Sequence, residues 1–142
     1  MYSFRNDYSE GAHPKVLQAL ADTNLRQTVG YGMDPCCQAA AATIRRLCAA
    51  PDAAVHFLVG GTQVNLVTID AFLQSYEAVV AAQTGHVSTH ETGAIEATGH
   101  KVCTVESPDG KLTPALVESV LAGHNGTEHM VLPRMVYISD TT

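Results

Sequence analysis

The sequence predicts an α/β fold with a mostly parallel sheet flanked by helices. Three observations carry this. Short apolar runs alternate with stretches of helical length across residues 55–138, the rhythm of βαβ units. One of those runs, Ala78-Val-Val-Ala-Ala82, has no polar position, as in strands covered on both faces. Prolines and capping residues recur where helices should open.

The elements follow in order. The first dozen residues are polar and irregular. His13-Pro14 opens a helix with Val16, Leu17 and Leu20 on one face, proline being tolerated at the first helical position because its missing N–H would be unpaired there. Residues 22–33 read as loop, holding Gly30-Tyr31-Gly32. Asp34-Pro35 starts a second helix through the alanine-rich stretch to about Ala50, stopped by Pro51. Val55–Val59 reads as a strand, Gly60-Gly61-Thr62 as the turn after it, and Thr62 to Tyr76 as a helix with Leu66, Phe72, Leu73 and Tyr76 among its apolar positions. Ala78–Ala82 is the next strand. Ser88-x-x-Glu91 has the form of a capping box, opening a helix that ends near Gly99. Lys101 to Glu106 alternates as a strand, Pro108-Asp109-Gly110 turns, Thr113-Pro114 caps a helix to Gly123, and Met130 to Ile138 is a last strand whose Pro133 suits an edge or a lead-in.

Composition narrows the function. Hydrophobic residues make up 46% of the 142 and charged residues 15%, enough apolar content for a packed core. Eight Lys plus Arg against fourteen Asp plus Glu leave a net charge of −6, and no basic run exceeds Arg45-Arg46. A nucleic-acid surface needs clustered cations, so no such partner is expected. No apolar stretch approaches the ~20 residues that span a bilayer, and the N-terminus lacks the apolar core of a secretory signal. The four cysteines, Cys36, Cys37, Cys48 and Cys103, form no Cys-x-x-Cys pair; they read as small buried thiols, with the cytoplasm as the default compartment.

Val59-Gly-Gly-Thr-Gln63 is the strongest local feature. Two glycines let a ligand approach the backbone, a helix N-terminus offers free N–H groups, and Thr62 adds a hydroxyl, which together suit a phosphate. The same residues also suit a plain tight turn. The segment is neither Gly-x-Gly-x-x-Gly nor a lysine-bearing P-loop. His86, beside Gly85 after the second strand, reads either as a loop histidine bonded to backbone or as a stacking or acid–base group. His86, His90 and Glu91 have the order His-x-x-x-His-Glu, which is not the zincin order, and no metal is expected. Arg5-Asn6-Asp7 can meet an anion or simply form a solvated turn, and Tyr31, between two glycines, can reach a ligand or a neighbouring subunit.

Taken in order, these segments resemble the low-specificity threonine aldolase / β-eliminating lyase family, pyridoxal-phosphate enzymes of the aspartate-aminotransferase-like fold. The resemblance rests on Phe4-Arg-Asn-Asp7, Tyr31-Gly-Met-Asp-Pro35, Phe57-Leu-Val-Gly-Gly-Thr-Gln-Val-Asn65, Gly85-His86, Glu91-Thr-Gly-Ala94, and Asp109-Gly110 before a Thr-Pro helix start. It implies that residues 1–142 form the N-terminal portion of the cofactor-binding large domain. It implies that Gly60, Gly61, Thr62 and Gln63 hold the phosphate of pyridoxal 5'-phosphate and that His86 stacks on its ring and assists proton transfer. Arg5, Asn6, Asp7 and Tyr31 fall on the substrate side, with Tyr31 near a subunit interface of a homodimer or homotetramer whose active sites are shared.

The implied reaction is aldol cleavage of a β-hydroxy amino acid to glycine and an aldehyde, with β-elimination on another amino acid as the alternative. A non-catalytic phosphate-binding or partner subunit is the reading from a different class. Two departures bear on substrate. Asn6 stands where the family has serine in Arg-Ser-Asp, and Ser139-Asp-Thr-Thr142 stands where aldolases read Glu-Asn-Thr-His. The cofactor's lysine lies downstream in the family. Lys15, Lys101 and Lys111, the lysines of this sequence, do not occupy the expected strand context, so residues 1–142 alone are not expected to be a competent enzyme.

Overall fold

A computed structural model describes residues 3, 5, 6, 8–124 and 127–140. The chain divides into two compact units, Met1–Phe57 and Leu58–Thr142.

The first unit is helical. Helix α1, Pro14–Thr23, begins where His13-Pro14 predicts, and the His13 imidazole accepts from the Lys15 N–H at 3.2 Å. Its apolar face is not covered: Val16, Leu17 and Leu20 are each more than half exposed. Helix α2, Pro35–Leu47, is capped by Asp34, whose carboxylate accepts from the N–H groups of Cys36 and Cys37 at 2.8 and 3.0 Å. Bonding to the Cys37 thiol and N–H holds the Asp34 carboxyl below the usual carboxylate range. Helix α2 stops three residues short of Ala50. Ala49 takes a left-handed φ of 51°, and the Ala50 N–H reaches back to the Arg45 carbonyl at 3.0 Å, a closure usually built on glycine. Of the helix's residues only Ala41 is buried.

The second unit holds the sheet. Helix α3, Gly61–Phe72, is followed by strand β1, Glu77–Ala82, the short helix α4, His86–Thr89, strand β2, Lys101–Val105, helix α5, Pro114–His124, and strand β3, Leu132–Val136. The strands are all parallel in the order β2-β1-β3, so β1 is central and α5 carries the chain from one side of it to the other. Parallel neighbours require such crossovers. The β1–β3 register slips between Ala78 and Val79, opposite Pro133, which has no N–H for a ladder.

The all-apolar run of β1 is explained by what covers it. Val79 and Ala81 pack with Ile69, Leu73, Val87 and Ile95, while Ala78 and Val80 pack with Cys103 and, from α5, Val117 and Val120. Val79 and Val80 are 0% and 1% exposed. Burying each valine side chain contributes about 1.5–3 kcal/mol.

Several sequence expectations differ from this structure. Residues 55–59 form no strand, having no ladder partner among the described residues, and Val59 is 98% exposed; an isolated extended segment leaves its backbone groups unpaired. Helix α3 ends at Phe72, so Leu73 is buried outside it while Phe72 and Tyr76 are mostly exposed. Ser88 and Glu91 make no capping box: Ser88 lies inside α4, which Gly85 opens, and after α4 the chain turns and makes a single 3-10 turn, Glu96–Thr98, while the Glu91 side chain bonds Asn65 and His86. Of the four cysteines, all free, Cys103 alone is buried, and burial pushes its thiol pKa up. Among the described residues no helix is long and apolar enough to cross a membrane.

Candidate functional site

In parallel α/β sheets the loops beyond the carboxyl ends of the strands hold ligands. Here those loops enclose a pocket of about 410 Å³, walled in part by Gly85, Asp109, Lys111, Tyr137, Ser139 and Asp140. Gly85 is built into its floor. A Cβ at Gly85 would stand 3.0 Å from the Ala82 carbonyl oxygen, so a larger residue at the exit from β1 into α4 would crowd the backbone. The Lys111 ammonium lies 3.2 Å from Asp109 Oδ2, and its hydrogen bonding holds the Asp109 carboxyl below the usual range.

The predicted glycine segment forms the start of α3. Gly60 is extended, with φ −165° and ψ 166°, and supplies no side-chain cap. That conformation suits any residue, and a Cβ at Gly60 or Gly61 would meet nothing within 4 Å among the described residues. Among the described residues nothing crowds either position, and a group seated against the backbone would use that space. Thr62 is half-buried. The Gln63 side-chain oxygen accepts from the Val59 N–H at 2.9 Å, leaving its amide NH₂ as the available donor. An uncapped helix N-terminus, a hydroxyl and two open glycines fit an anionic phosphate.

His86 opens α4, its backbone N–H donating to Ser139 Oγ at 3.2 Å. Its side chain is 48% exposed and its Nδ1 lies 2.7 Å from Oε1 of Glu91, whose side chain is fully buried. Asn65 Nδ2 from α3 lies 2.6 Å from the same oxygen and 3.4 Å from the Tyr137 hydroxyl, which also accepts from Ser139 Oγ at 3.1 Å. One face of the His86 ring stacks on His90, with centroids 5.4 Å apart and planes 22° from parallel. Glu91, Asn65, Tyr137 and Ser139 thus join His86 to α3 and to the exit from β3. Sequence reading missed that network, taking Glu91 for a helix cap. Its one available signal was Asn65 and Glu91 both lying inside the quoted motifs. Among the described residues no group of three His, Cys, Asp or Glu side chains is gathered for a metal ion.

The remaining predicted residues belong to the first unit. The Asn6 side-chain oxygen accepts from the Tyr8 N–H at 3.1 Å and the Ser9 hydroxyl at 2.6 Å, forming a local turn, and Arg5 is exposed. Tyr31 is fully exposed at a left-handed φ of 62°, ahead of Gly32 at 74°. A tyrosine there is strained, as residues held for a ligand or partner often are. Asp7, Phe4 and Thr142 lie outside the described residues.

A parallel α/β unit with a glycine-opened helix start and a polar cluster beyond its strands is an α/β architecture of the kind that many cofactor enzymes share. A family model for beta-eliminating lyases matches residues 4–142, and the chain belongs to that family. It is 34% identical over 141 residues to the low specificity L-threonine aldolase of a Pseudomonas species and 32% identical to that of Pseudomonas aeruginosa, covering 98% of this chain in each case. A solved threonine aldolase structure from Leishmania major matches with 57% identity and a TM-score of 0.95 over 100% of this chain. The chain spans about 40% of the length of these relatives, 40% of each Pseudomonas protein and 41% of the Leishmania chain.

Proposed function

We propose that residues 1–142 form the N-terminal portion of the large domain of a pyridoxal-phosphate-dependent lyase that cleaves a β-hydroxy amino acid to glycine and an aldehyde. The observation that supports this reading is the start of α3, where Gly60 and Gly61 leave space that no described residue fills. The N–H groups of Gly61 and Thr62, the Thr62 hydroxyl and the Gln63 amide would hold the cofactor phosphate. His86 would stack on the cofactor ring with the face that His90 leaves free. When bound, the cofactor supplies an electron sink for the bond that breaks at Cα. Arg5, Asn6, Asp7 and Tyr31 would serve the substrate side, Tyr31 from its exposed turn at a subunit interface. A cytoplasmic homodimer or homotetramer is the assembly this reading implies.

Aldol cleavage is preferred to β-elimination because both matched Pseudomonas relatives and the Leishmania structure are named threonine aldolases. The test is incubation of the full-length protein and pyridoxal phosphate with L-threonine. Glycine and acetaldehyde in equal amounts support the reading. Ammonia and a keto acid in their place would move it to β-elimination, and no turnover of any β-hydroxy amino acid would overturn it.

A further inference from the structure

Behind the exposed ring of His86 stands a buried carboxylate whose role the phosphate and stacking contacts leave open. Two short contacts converge on Glu91 Oε1, one from Asn65 Nδ2 at 2.6 Å and one from His86 Nδ1 at 2.7 Å. An amide nitrogen only donates. An ionised carboxylate is acceptor-only, so with Glu91 in that form the hydrogen of the second contact resides on His86 Nδ1.

The backbone fixes Glu91 as firmly as its side-chain partners do. Thr92 and Gly93 follow it with φ of 55° and 72°, and a β-branched residue in the left-handed region persists only where its surroundings hold it there. Glu91 Oε2 is buried without a hydrogen-bond partner among the described residues, so the side chain is held through Oε1. A histidine that donates through one ring nitrogen has its tautomer set by that bond.

We propose that Glu91, held by Asn65, is a positioning residue that keeps His86 in its Nδ1–H form, so that Nε2 is presented to substrate or cofactor as a proton acceptor. The bond also fixes the ring plane, which His90 covers on one face. This inference deepens the cofactor-binding reading and rests on it only in taking His86 to face the ligand.

The test is nitrogen NMR of the full-length protein labelled with ¹⁵N-histidine, at a pH where the His86 ring is neutral, with a His86→Asn spectrum to identify its signals. The expected result is a protonated Nδ1 and an unprotonated Nε2 in the wild type. In Glu91→Leu, which offers no acceptor, more than half of His86 should be in the Nε2–H form. A wild-type Nε2–H tautomer overturns the proposal even if the leucine variant does not fold, and so does an unchanged tautomer in a folded leucine variant. Cofactor uptake is followed separately by visible absorbance, so a protein with the expected tautomer that takes up no pyridoxal phosphate would sink the cofactor reading and leave this one standing.

Discussion

Gly61→Ala separates a glycine kept for the fold from one kept for a ligand. At this position the added Cβ meets no atom within 4 Å among the described residues, and the residue is the first of helix α3. Alanine loses less conformational freedom than glycine on entering a helix, an advantage of about 0.5–1 kcal/mol in helix interiors and less at the first turn. Folding stability should therefore stay level or rise by up to about 1 kcal/mol. Ligand binding should move the other way. A methyl group forced into a closely seated phosphate costs about 1–3 kcal/mol by analogy with overpacked cores, or roughly 5- to 150-fold in Kd. Urea unfolding of the cofactor-free protein gives the first quantity, and titration of the same protein with pyridoxal phosphate gives the second. Destabilisation by more than about 1 kcal/mol, or unchanged cofactor affinity, would refute the reasoning.

Other positions test the account with equal directness. Ile69, 2% exposed under the sheet, should cost about 2–5 kcal/mol when cut to alanine, while Phe72→Ala, at 75% exposure one turn on, should stay within about 0.5 kcal/mol in the same urea experiment. Gly85→Ala should destabilise by about 1–3 kcal/mol, because the neighbour its Cβ meets is a backbone carbonyl that cannot swing aside. Ala49→Gly should raise the unfolding midpoint, relieving a left-handed alanine by up to about 1 kcal/mol. The Asp34 carboxyl is held below its ordinary range, so its contribution to α2 is complete above that range and is lost as pH falls through its lowered value. Circular dichroism through an acid titration should show the acid loss in the wild type and not in Asp34→Ala.

How much was legible in the sequence depended on whether a signal was local. The helix starts at Pro14, Pro35 and Pro114 come from side chains within three residues of one another, and they sit where the sequence places them. The burial of β1 was legible because a strand covered on both faces can hold no polar residue. Residues 55–59 are apolar apart from His56 yet form no strand, since a strand also needs a neighbour, and pairing is not a local property. Ser88-x-x-Glu91 failed for a related reason. The spacing of a capping box is correct, but Glu91 bonds Asn65, 26 residues away, in preference to its own backbone. The glycine segment and His86 were visible as loop chemistry; the pocket wall of Lys111, Tyr137 and Ser139 was not, because the topology of the sheet alone brings those loops together.

The central claim is that these residues hold pyridoxal phosphate in a lysine-dependent enzyme. Borohydride treatment of the native full-length protein, followed by peptide mass mapping, tests it most directly, because reduction fixes a lysine-bound cofactor as a stable pyridoxyl adduct. The account predicts one adduct per chain, on a lysine other than Lys15, Lys101 and Lys111. Protein without adduct after incubation with pyridoxal phosphate, or an adduct confined to one of those three lysines, would contradict it.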